Sequence, residues 1–370
     1  MLLPIDNTPR DYAWGRGGAI SELLGRPASG ALEAELWLGA HHGSPARLVG
    51  DDRGLADIVP ELPFLLKVLA AGSPLSLQAH PDAEQAREGF ERENATGVPL
   101  EAPHRNYRDP HPKPELIVAV SERFEALSGF RPAAEARADL ERLTAGRIDR
   151  DLVTPLVERL VDDTRVGDLL VWLLQAGAEA SAAVVAVEGA LREYPDRLPY
   201  ATRIAEQYPG DPGIVGALLL HHVVLQAGEA LYLPAGNIHA YLDGIGIELM
   251  APSDNVLRGG LTPKHVDVPE LARILDRAAR PVPRLHPVAL DGGGLLYAPD
   301  DPDVAFCLAH VTEHASVPLS GPAIALCTDG AFAIRGGASS IEVGRGDAFL
   351  ATADERALEI SGAGSLYLAR

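Results

Sequence analysis

The sequence predicts a mainly β protein with an α-helical module between two β regions. Three observations support this fold class. Short apolar runs separated by Gly, Pro and Asp fill the first third, helical periodicity dominates from about 132 to 207, and strand-like runs return from 221 to the end. The connections lack the regular alternation of βαβ units, so an antiparallel architecture is favoured.

The first third predicts strands at ELWLGAH (35–41), FLLKVLAA (64–71) and ELIVAV (115–120). Between the second and third of these runs, DAEQAREGFEREN (82–94) has the apolar spacing of a helix.

The helical module is predicted over 132–207. Its Ala- and Leu-rich segments are AAEARADLERLTAG, VTPLVERLVDDT, VGDLLVWLLQAGAEA and AAVVAVEGALREY, and their apolar residues recur near i, i+3, i+4 and i+7. This spacing places them on one face of a helix, so each segment is predicted to be amphipathic.

Strands are predicted again over 221–251, with QAGE, PAGN and LDGIG as turns, and over 281–370, as short strands ending at Gly or Asp. GRGDAFLA in the second region resembles QAGEALYL in the first, which indicates a repeated β-barrel unit flanking the helical insertion. We therefore expect three units: 1–131 with 208–280, the helical module 132–207, and a C-terminal β-barrel at 281–370.

The composition restricts the partners and the location. A net charge of −20 argues against nucleic acid, but a few local cations can still hold a small anion. Cys307 and Cys327 lie outside any CxxC pattern and are expected to be buried thiols. The N-terminal residues do not resemble a secretory signal, and no apolar run reaches the ~18–20 residues of a membrane span. We expect a cytoplasmic protein, with a monomer favoured.

Four polar residues at the ends of apolar runs are candidate metal ligands. In LSLQAHPD two of them stand two positions apart, which places them on the same face of a strand. A third opens ELIVAV, and a fourth follows the PAGN turn. Each alone is more often structural, but together they offer two imidazoles, one carboxylate and one amide oxygen, a donor set suited to catalytic Zn²⁺. The four are Gln78, His80, Glu115 and His239.

A loop in APSDNVLRGGLTPKHVDVPEL (251–271) carries Asp254, Arg258 and Lys264 among Gly and Pro. Arginine can hold a phosphate through two hydrogen bonds, and lysine adds a point charge. The loop is therefore a candidate phosphate-binding segment.

Four segments, SLQAHPD, KPELIVAV, LPAGNIHAYL and SDNVLRGGLTPKHV, resemble the type I phosphomannose isomerase family in sequence and order. RDYAWG and AELWLGAHHGSPA resemble it too, so the similarity covers about 9–271 and weakens in the helical module and the last ninety or so residues. The resemblance implies a zinc-dependent aldose–ketose isomerase with two cupin-type (jelly-roll) β-barrels and a helical insertion.

The resemblance also implies roles for single residues. Arg258 matches the catalytic-loop arginine, Asp254 its neighbouring acid, and Lys113 the lysine of the KPE motif. The residues that match the family's zinc ligands, for one Zn²⁺ per chain, are Gln78, His80, Glu115 and His239. Many members read His-Lys-Pro-Glu, whereas here Pro112 precedes the lysine and His111 lies one place upstream. A proton-transfer role for that histidine is therefore in doubt.

The implied reaction interconverts mannose 6-phosphate and fructose 6-phosphate by moving a proton between C2 and C1 through a cis-enediol. Lys113, Asp254 and Glu248 are the candidate bases, and the residues alone do not choose among them. A lysine base would require a lowered pKa. The sugar phosphate is expected to rest on Arg258, Lys264 or Ser76, and the pair that opens the sugar ring is not identified.

Two alternatives remain at this stage. One is a sugar-binding cupin without catalysis, against which the retention of Lys113 and Arg258 argues. The other is an Fe²⁺ oxygenase that uses a two-histidine, one-carboxylate set, against which the added Gln78 argues. His310 and His314 in AHVTEH are interpreted as structural or surface residues.

Overall fold

The computed structural model describes residues 1–370. Two ten-stranded antiparallel sheets and a helical module make up most of the chain. The elements before the module are β1 (Leu2–Asp6), β2 (Arg16–Gly17), α1 (Ala19–Leu23), β3 (Leu32–Glu33), β4 (Glu35–Leu38), β5 (Arg47–Leu48), β6 (Leu65–Ala71), β7 (Gln78–Ala79), α2 (Ala83–Ala95), β8 (Glu115–Ala119) and β9 (Phe124–Phe130).

Helices dominate the next segment, as the periodicity predicts. They are α3 (Ala133–Leu143), α4 (Thr154–Arg159), α5 (Val166–Leu174), α6 (Ala178–Glu193), α7 (Pro199–Gln207) and α8 (Gly213–Leu218). Strands and one helix follow as β10 (Leu220–Leu225), β11 (Ala230–Leu233), β12 (His239–Met250), β13 (Leu257–Arg258) and α9 (Val268–Ile274).

The C-terminal region contains strands only, apart from one 3₁₀ turn. They are β14 (Arg284–Leu285), β15 (Val288–Ala289), β16 (Leu295–Tyr297), β17 (Leu308–Val311), β18 (His314–Pro318), β19 (Ala323–Arg335), β20 (Ser340–Gly344), β21 (Ala348–Ala351) and β22 (Ala357–Ala369). Single 3₁₀ turns here and earlier occupy Leu55–Asp57, Arg150–Val153, Asp163–Arg165, Pro195–Arg197 and Ala353–Glu355.

The predicted turn at LDGIG is wrong, because β12 runs through it without a break. A bulge between Tyr241 and Asp243 absorbs the irregularity. Gly244 has a φ of +119°, and a Cβ there would lie 2.8 Å from Phe124 Cα, so glycine lets the strand continue against its neighbour. The first half of β12 pairs with β7 and β9, and the second half with β6 and β8.

The C-terminal strands are also longer than predicted. β19 and β22 each have 13 residues and run side by side through their glycines, with a bulge between Cys327 and Asp329. Cys327 is a buried free thiol, as expected, whereas Cys307 is only half-buried.

The strand pairings follow open paths, and they do not establish the predicted closed barrels.

The first strand of the chain belongs to the C-terminal sheet. β1 pairs with β21 over Leu2–Ile5, and β5 pairs with β1. One hydrophobic core accordingly holds residues of both sheets, such as Leu116 and Ile247 from one and Tyr297 and Leu326 from the other.

The helical module shares its core with the strands that carry the candidate ligands. Leu77, Ile238 and Leu257 are fully buried or nearly so, and they pack in the same cluster as the buried faces of α3 to α8. Burial of this apolar surface contributes roughly 25 cal/mol per Å² and holds the strand ends in place.

No single helix is long and apolar enough to cross a membrane. One bent pair of helical segments, Asp163–Leu174 with Ala178–Glu193, is long and apolar enough when the two are taken together.

A buried carboxylate ties the module to the sheet. Glu125 of β9 accepts hydrogen bonds from Arg123 (2.8 Å), from Arg203 of α7 (2.7 Å) and from His222 of β10 (2.9 Å). Burial alone would raise the pKa of Glu125, but these three donors lower it to about 2.

We expect Glu125 to contribute to acid unfolding. Its folded-state pKa is lowered, so its stabilisation is complete above the unfolded-state value of about 4.5 and is lost as the pH falls towards about 2. The Tm of Glu125→Gln should therefore fall less than the parental Tm as the pH is lowered from about 4.5 to about 2. Thermal unfolding at a series of pH values measures this difference. The exposed Glu342→Gln is the control, and an unchanged pH dependence in Glu125→Gln would contradict the assignment.

Candidate metal centre and substrate cavity

The four candidate ligands converge at neighbouring strand ends. His239 opens β12 directly opposite Gln78 of β7, and Glu115 opens β8, which pairs with the far end of β12. His80 follows β7 on the same face as Gln78. The Glu115 carboxylate oxygens lie 3.4 Å from Nε2 of both His80 and His239, a long-range contact that sequence spacing does not contain.

Both histidines are held in the tautomer that a metal requires. His80 Nδ1–H donates to the backbone carbonyl of Asn255 (2.7 Å), and His239 Nδ1–H donates to that of Asn237 (3.0 Å). A carbonyl oxygen only accepts, so the proton of each neutral ring sits on Nδ1. Each Nε2 lone pair faces Glu115 at 3.4 Å, His80 towards Oε1 and His239 towards Oε2.

The acceptor atoms of the two histidines and Glu115 face one another, which is an arrangement suited to hold a cation. His80 Nε2 and Glu115 Oε2 are buried without a hydrogen-bond partner, which is costly unless something positive lies between them. The Gln78 amide nitrogen lies 3.3 Å from His239 Nε2, and a 180° turn of the amide places Oε1 there instead. Two imidazole nitrogens, a carboxylate and an amide oxygen match the N/O donors of a catalytic zinc site. The residues present therefore fit the implied Zn²⁺.

The electrostatics favour the deprotonated forms of these groups. Burial lowers the pKa of His80 to about 4. Burial opposes ionisation of Glu115, yet Lys113 and the two histidines together lower its pKa well below the usual range. Metal ligands must be deprotonated, so the site is prepared for a cation at neutral pH.

The predicted substrate residues line one cavity of about 1020 Å³ beside these ligands. The lining residues that the sequence singled out are Ser76, Gln78, Lys113, Glu115, Glu248, Asp254, Arg258 and Lys264. Lys113 is buried, with Nζ 3.0 Å from Glu115 Oε1, which places its ammonium at the edge of the metal centre.

One wall of the cavity is cationic. Arg258 Nη1 donates to Ser76 Oγ (2.9 Å), and β13 places Arg258 next to Gln78 in the sheet. The pKa of Lys264 is lowered chiefly by Arg258 and also by Arg108, and the pKa of Arg258 is lowered by burial and by Arg108. The positive charges of Arg108, Arg258 and Lys264 repel one another, and an anion bound beside them would relieve this repulsion. No motif in the sequence pointed to Arg108.

A second missed feature is a buried charge network that also lines the cavity. Lys67 Nζ lies 3.2 Å from Glu248 Oε2 and 3.5 Å from Glu35 Oε1. Tyr241 Oη donates to Glu248 (3.0 Å), and Trp37 Nε1 donates to Glu35 (2.9 Å). Burial opposes a charged Lys67, but the two carboxyls outweigh it and raise the pKa of the ammonium. Glu248 is therefore engaged in this network.

A third missed feature fixes the loop that carries Asp254. The fully buried Asn255 accepts from Arg108 N–H (2.7 Å) and donates to the carbonyls of Asp109 (2.8 Å) and His111 (2.9 Å). Asp254 N–H donates to Asp109 Oδ2 (2.9 Å). Because the Asn255 carbonyl also accepts from His80, one residue links the loop to the metal centre.

The displaced histidine of the KPE segment is not at the site. His111 is exposed and does not line the cavity, so the doubt about a proton-transfer role for it is supported.

In the C-terminal region, His310 is half-buried, stacks on Tyr367 and contacts Ser365 Oγ (2.8 Å), while His314 is exposed. Neither belongs to a cluster of metal-binding side chains.

Loss of the amide ligand is expected to be milder than loss of an imidazole ligand. Gln78→Ala should retain more zinc than His80→Ala, because a neutral amide oxygen is the weaker donor. Metal content of the purified variants, measured by atomic emission after equal dialysis, checks the order. Parental zinc occupancy in His80→Ala would contradict the ligand assignment.

Loss of the Asn255 side chain is expected to destabilise the loop. Asn255→Ala leaves two carbonyls and two N–H groups of the loop without their partner, at a cost of about 1–3 kcal/mol in the free energy of unfolding. Urea unfolding measures this cost. Asn94→Ala, which removes a single acceptor of Arg105 at the protein surface, should cost less, and an equal effect in the two variants would contradict the role given to Asn255.

Taken together, the mainly β fold, the buried N/O donor set and the adjoining cationic cavity define a metal-dependent enzyme that acts on a small anionic substrate. A family model described as phosphomannose isomerase type I, catalytic domain, matches residues 55–133. The chain is 36% identical to mannose-6-phosphate isomerase of Escherichia coli K12 over 97% of each chain. It is 32% identical to that of Eremothecium gossypii over 91% of this chain and 90% of the other.

Solved structures agree. The chain superposes on a mannose 6-phosphate isomerase bound with zinc and yttrium, with a TM-score of 0.88 and 32% sequence identity. The superposition covers 100% of this chain and 98% of the other. The Salmonella typhimurium enzyme bound to fructose 6-phosphate and zinc gives the same values. The chain belongs to the type I mannose-6-phosphate isomerase family.

Proposed function

We propose that this chain is a zinc-dependent isomerase that interconverts mannose 6-phosphate and fructose 6-phosphate, with one Zn²⁺ per chain. The observation that carries the proposal is the pair of buried, unpartnered acceptors on His80 and Glu115 at the edge of a cavity with a cationic wall. The ion would be held by Gln78, His80, Glu115 and His239. When bound, zinc supplies Lewis acidity, which stabilises negative charge that develops on the sugar oxygens during proton transfer.

The cationic wall is proposed to bind the phosphate. Arg258, held by Ser76, offers a planar guanidinium at the cavity surface, and Lys264 and Arg108 add positive charge. A dianionic phosphate relieves the repulsion among these three cations, so it orients the sugar with its other end towards the metal centre.

Lys113 is proposed to move the proton. Lys113 Nζ lies 3.0 Å from Glu115 Oε1 at the metal centre, whereas Glu248 is bound by both Lys67 and Tyr241. The step requires Lys113 as the free amine, not as the ammonium that pairs with Glu115. The amine would take the proton from C2 of open-chain mannose 6-phosphate and return it to C1 of the enediolate, while the O2 hydroxyl proton passes to O1, so the base is regenerated within one turnover. Asp254 accepts a hydrogen bond from a sugar hydroxyl at the same wall.

The finer architecture is part of the proposal. Each large sheet would be a cupin-type jelly roll, with the metal centre in the unit formed by 1–131 and 208–280. The helical module 132–207 would be an insertion, and 281–370 a second barrel. The sheets cross these boundaries at two places, because β1 and β5 pair into the C-terminal sheet and β14 pairs with β11 of the first sheet.

The direct test is to incubate the zinc-loaded protein with mannose 6-phosphate and follow fructose 6-phosphate and dissolved oxygen together. We expect conversion to equilibrium without oxygen uptake. Binding of the sugar without conversion would favour the non-catalytic cupin. Oxygen consumption by a sample of the protein loaded with iron instead of zinc would favour the oxygenase.

A further inference from the structure

A second cluster of titratable groups faces the cavity away from the metal ligands. His41, a buried residue shortly after β4, has Nε2 3.4 Å from Asp254 Oδ1. The neighbouring His42 is exposed and has Nε2 3.7 Å from Asp254 Oδ2. Two imidazoles and a carboxylate this close could serve as a metal site or as a hydrogen-bonded pair.

The tautomer of His41 separates these two possibilities. Gly43 N–H donates to His41 Nδ1 (3.1 Å), so Nδ1 is an acceptor and carries no proton. The neutral ring must then be protonated on Nε2, the atom that faces Asp254. A metal would need the Nε2 lone pair, as His80 and His239 provide it, so His41 is set up as a donor to a carboxylate.

The His41 ring has little freedom to turn away. It meets the edge of Trp37, with ring centroids 5.0 Å apart at 87°, and it stacks on His42 at 4.5 Å and 27°. The main chain of Asp254 is held by a different contact, because its N–H donates to Asp109 Oδ2 (2.9 Å). The ring of His41 and the backbone of Asp254 are therefore held by separate parts of the chain, which leaves the carboxylate to be oriented by His41.

We propose that His41 is a positioning residue: its Nε2–H fixes the orientation of the Asp254 carboxylate at the cavity wall, so that Oδ2 is directed to the sugar. This inference rests on the proposed function, because it assigns Asp254 a sugar hydroxyl as its partner. His41 itself contacts neither the metal ligands nor the cationic wall, so its effect is exerted through Asp254.

The charge around Asp254 agrees with this role. Burial raises the pKa of the Asp254 carboxyl, but His41, His42 and Lys113 outweigh burial and hold that pKa below its usual range. The Asp109 carboxylate also faces Asp254, through the hydrogen bond that it accepts from the Asp254 N–H. Removing His41 takes away the buried partner and leaves an exposed imidazole and a lysine that is paired with Glu115.

The test compares His41→Ala, His41→Gln and His42→Ala in the zinc-loaded enzyme. His41→Ala should lower kcat roughly 10–100-fold, the scale of losing a hydrogen bond that orients an active group, with near-parental KM and zinc content. The acid limb of its pH profile should move to higher pH. His41→Gln retains an N–H donor and should recover part of kcat, and His42→Ala should stay near the parent. Parental kcat and an unmoved acid limb in His41→Ala would overturn the proposal.

A spectroscopic measurement makes the inference independent of activity. Nitrogen-15 spectra of imidazole-labelled protein at neutral pH should show the His41 proton on Nε2, opposite to His80 and His239. A proton on Nδ1 would overturn the pairing with Asp254. If the tautomer is as expected but the parent makes no fructose 6-phosphate, the proposed function fails while the His41–Asp254 pairing stands, and the role of that pairing in isomerisation is overturned.

Discussion

His80→Ala is expected to lose both its zinc and its isomerase activity. The variant removes one of the two proposed imidazole ligands and leaves Glu115 buried beside Lys113 with one partner fewer. Loss of a partner that only orients a ligand costs about 10–100-fold in metal affinity, so loss of the ligand itself should cost more. Zinc content after dialysis and the rate of fructose 6-phosphate formation measure the two effects.

A matched control is available in the C-terminal region. His310 is half-buried, and burial lowers its pKa to about 4, as it does for His80, but it contacts Ser365 and Tyr367 and not the cavity. His310→Ala should retain zinc and activity in the folded protein. Equal metal loss in both variants would mean that general destabilisation, and not ligation, explains the result for His80.

Arg258→Ala is expected to lose turnover while it keeps its metal. Arg258 lines the cavity and its side chain is bonded to Ser76, while its backbone pairs with that of Gln78. Its guanidinium forms no hydrogen bond or ion pair with the histidines or Glu115. Truncating one partner of a desolvated charged hydrogen bond costs about 2–4 kcal/mol, which corresponds to roughly 30- to 800-fold in kcat/KM. Steady-state kinetics with mannose 6-phosphate, together with zinc analysis of the same sample, checks both halves of the prediction.

Two further variants sharpen this test. Arg258→Lys keeps the charge without the planar fork, so it should lie between the parent and Arg258→Ala. Arg284→Ala removes an arginine of β14 that pairs with Glu229 outside the cavity, and it should leave kcat/KM unchanged. If Arg258→Ala loses its zinc, the residue supports the metal centre and the assignment to the substrate is wrong.

The candidate ligands could be predicted because each carries a local signal. Gln78 and His80 stand at the spacing of a shared strand face, His239 follows a turn, and Glu115 opens an apolar strand. The order of the surrounding segments, compared with a known family, then grouped the four residues. Periodicity alone predicted the helical module, since most of its helices bury one face in a common core.

The supporting residues carry no such local signal. Lys67 reads as a single charge in an apolar strand, and only its pairing across the sheet reveals two carboxyl partners, Glu35 and Glu248. Asn255 reads as a loop residue, although its side chain and carbonyl join the loop to His80. Long-range pairing decides these roles, and a linear pattern does not contain it.

Glycine was the main source of error in the strands. In β12, β19 and β22 it was interpreted as a turn signal, but bulges and close backbone approach explain it instead. The pairing of β1 with β21 was also beyond prediction, because it joins residues about 350 positions apart in the sequence.

The central claim is that the ion held by Gln78, His80, Glu115 and His239 enables the isomerisation. The most direct measurement is the rate of conversion of mannose 6-phosphate to fructose 6-phosphate before chelation, after removal of metal, and after zinc is added back. The account predicts that activity is lost with the metal and returns as one zinc per chain is restored. Full conversion by folded, metal-free protein would contradict it.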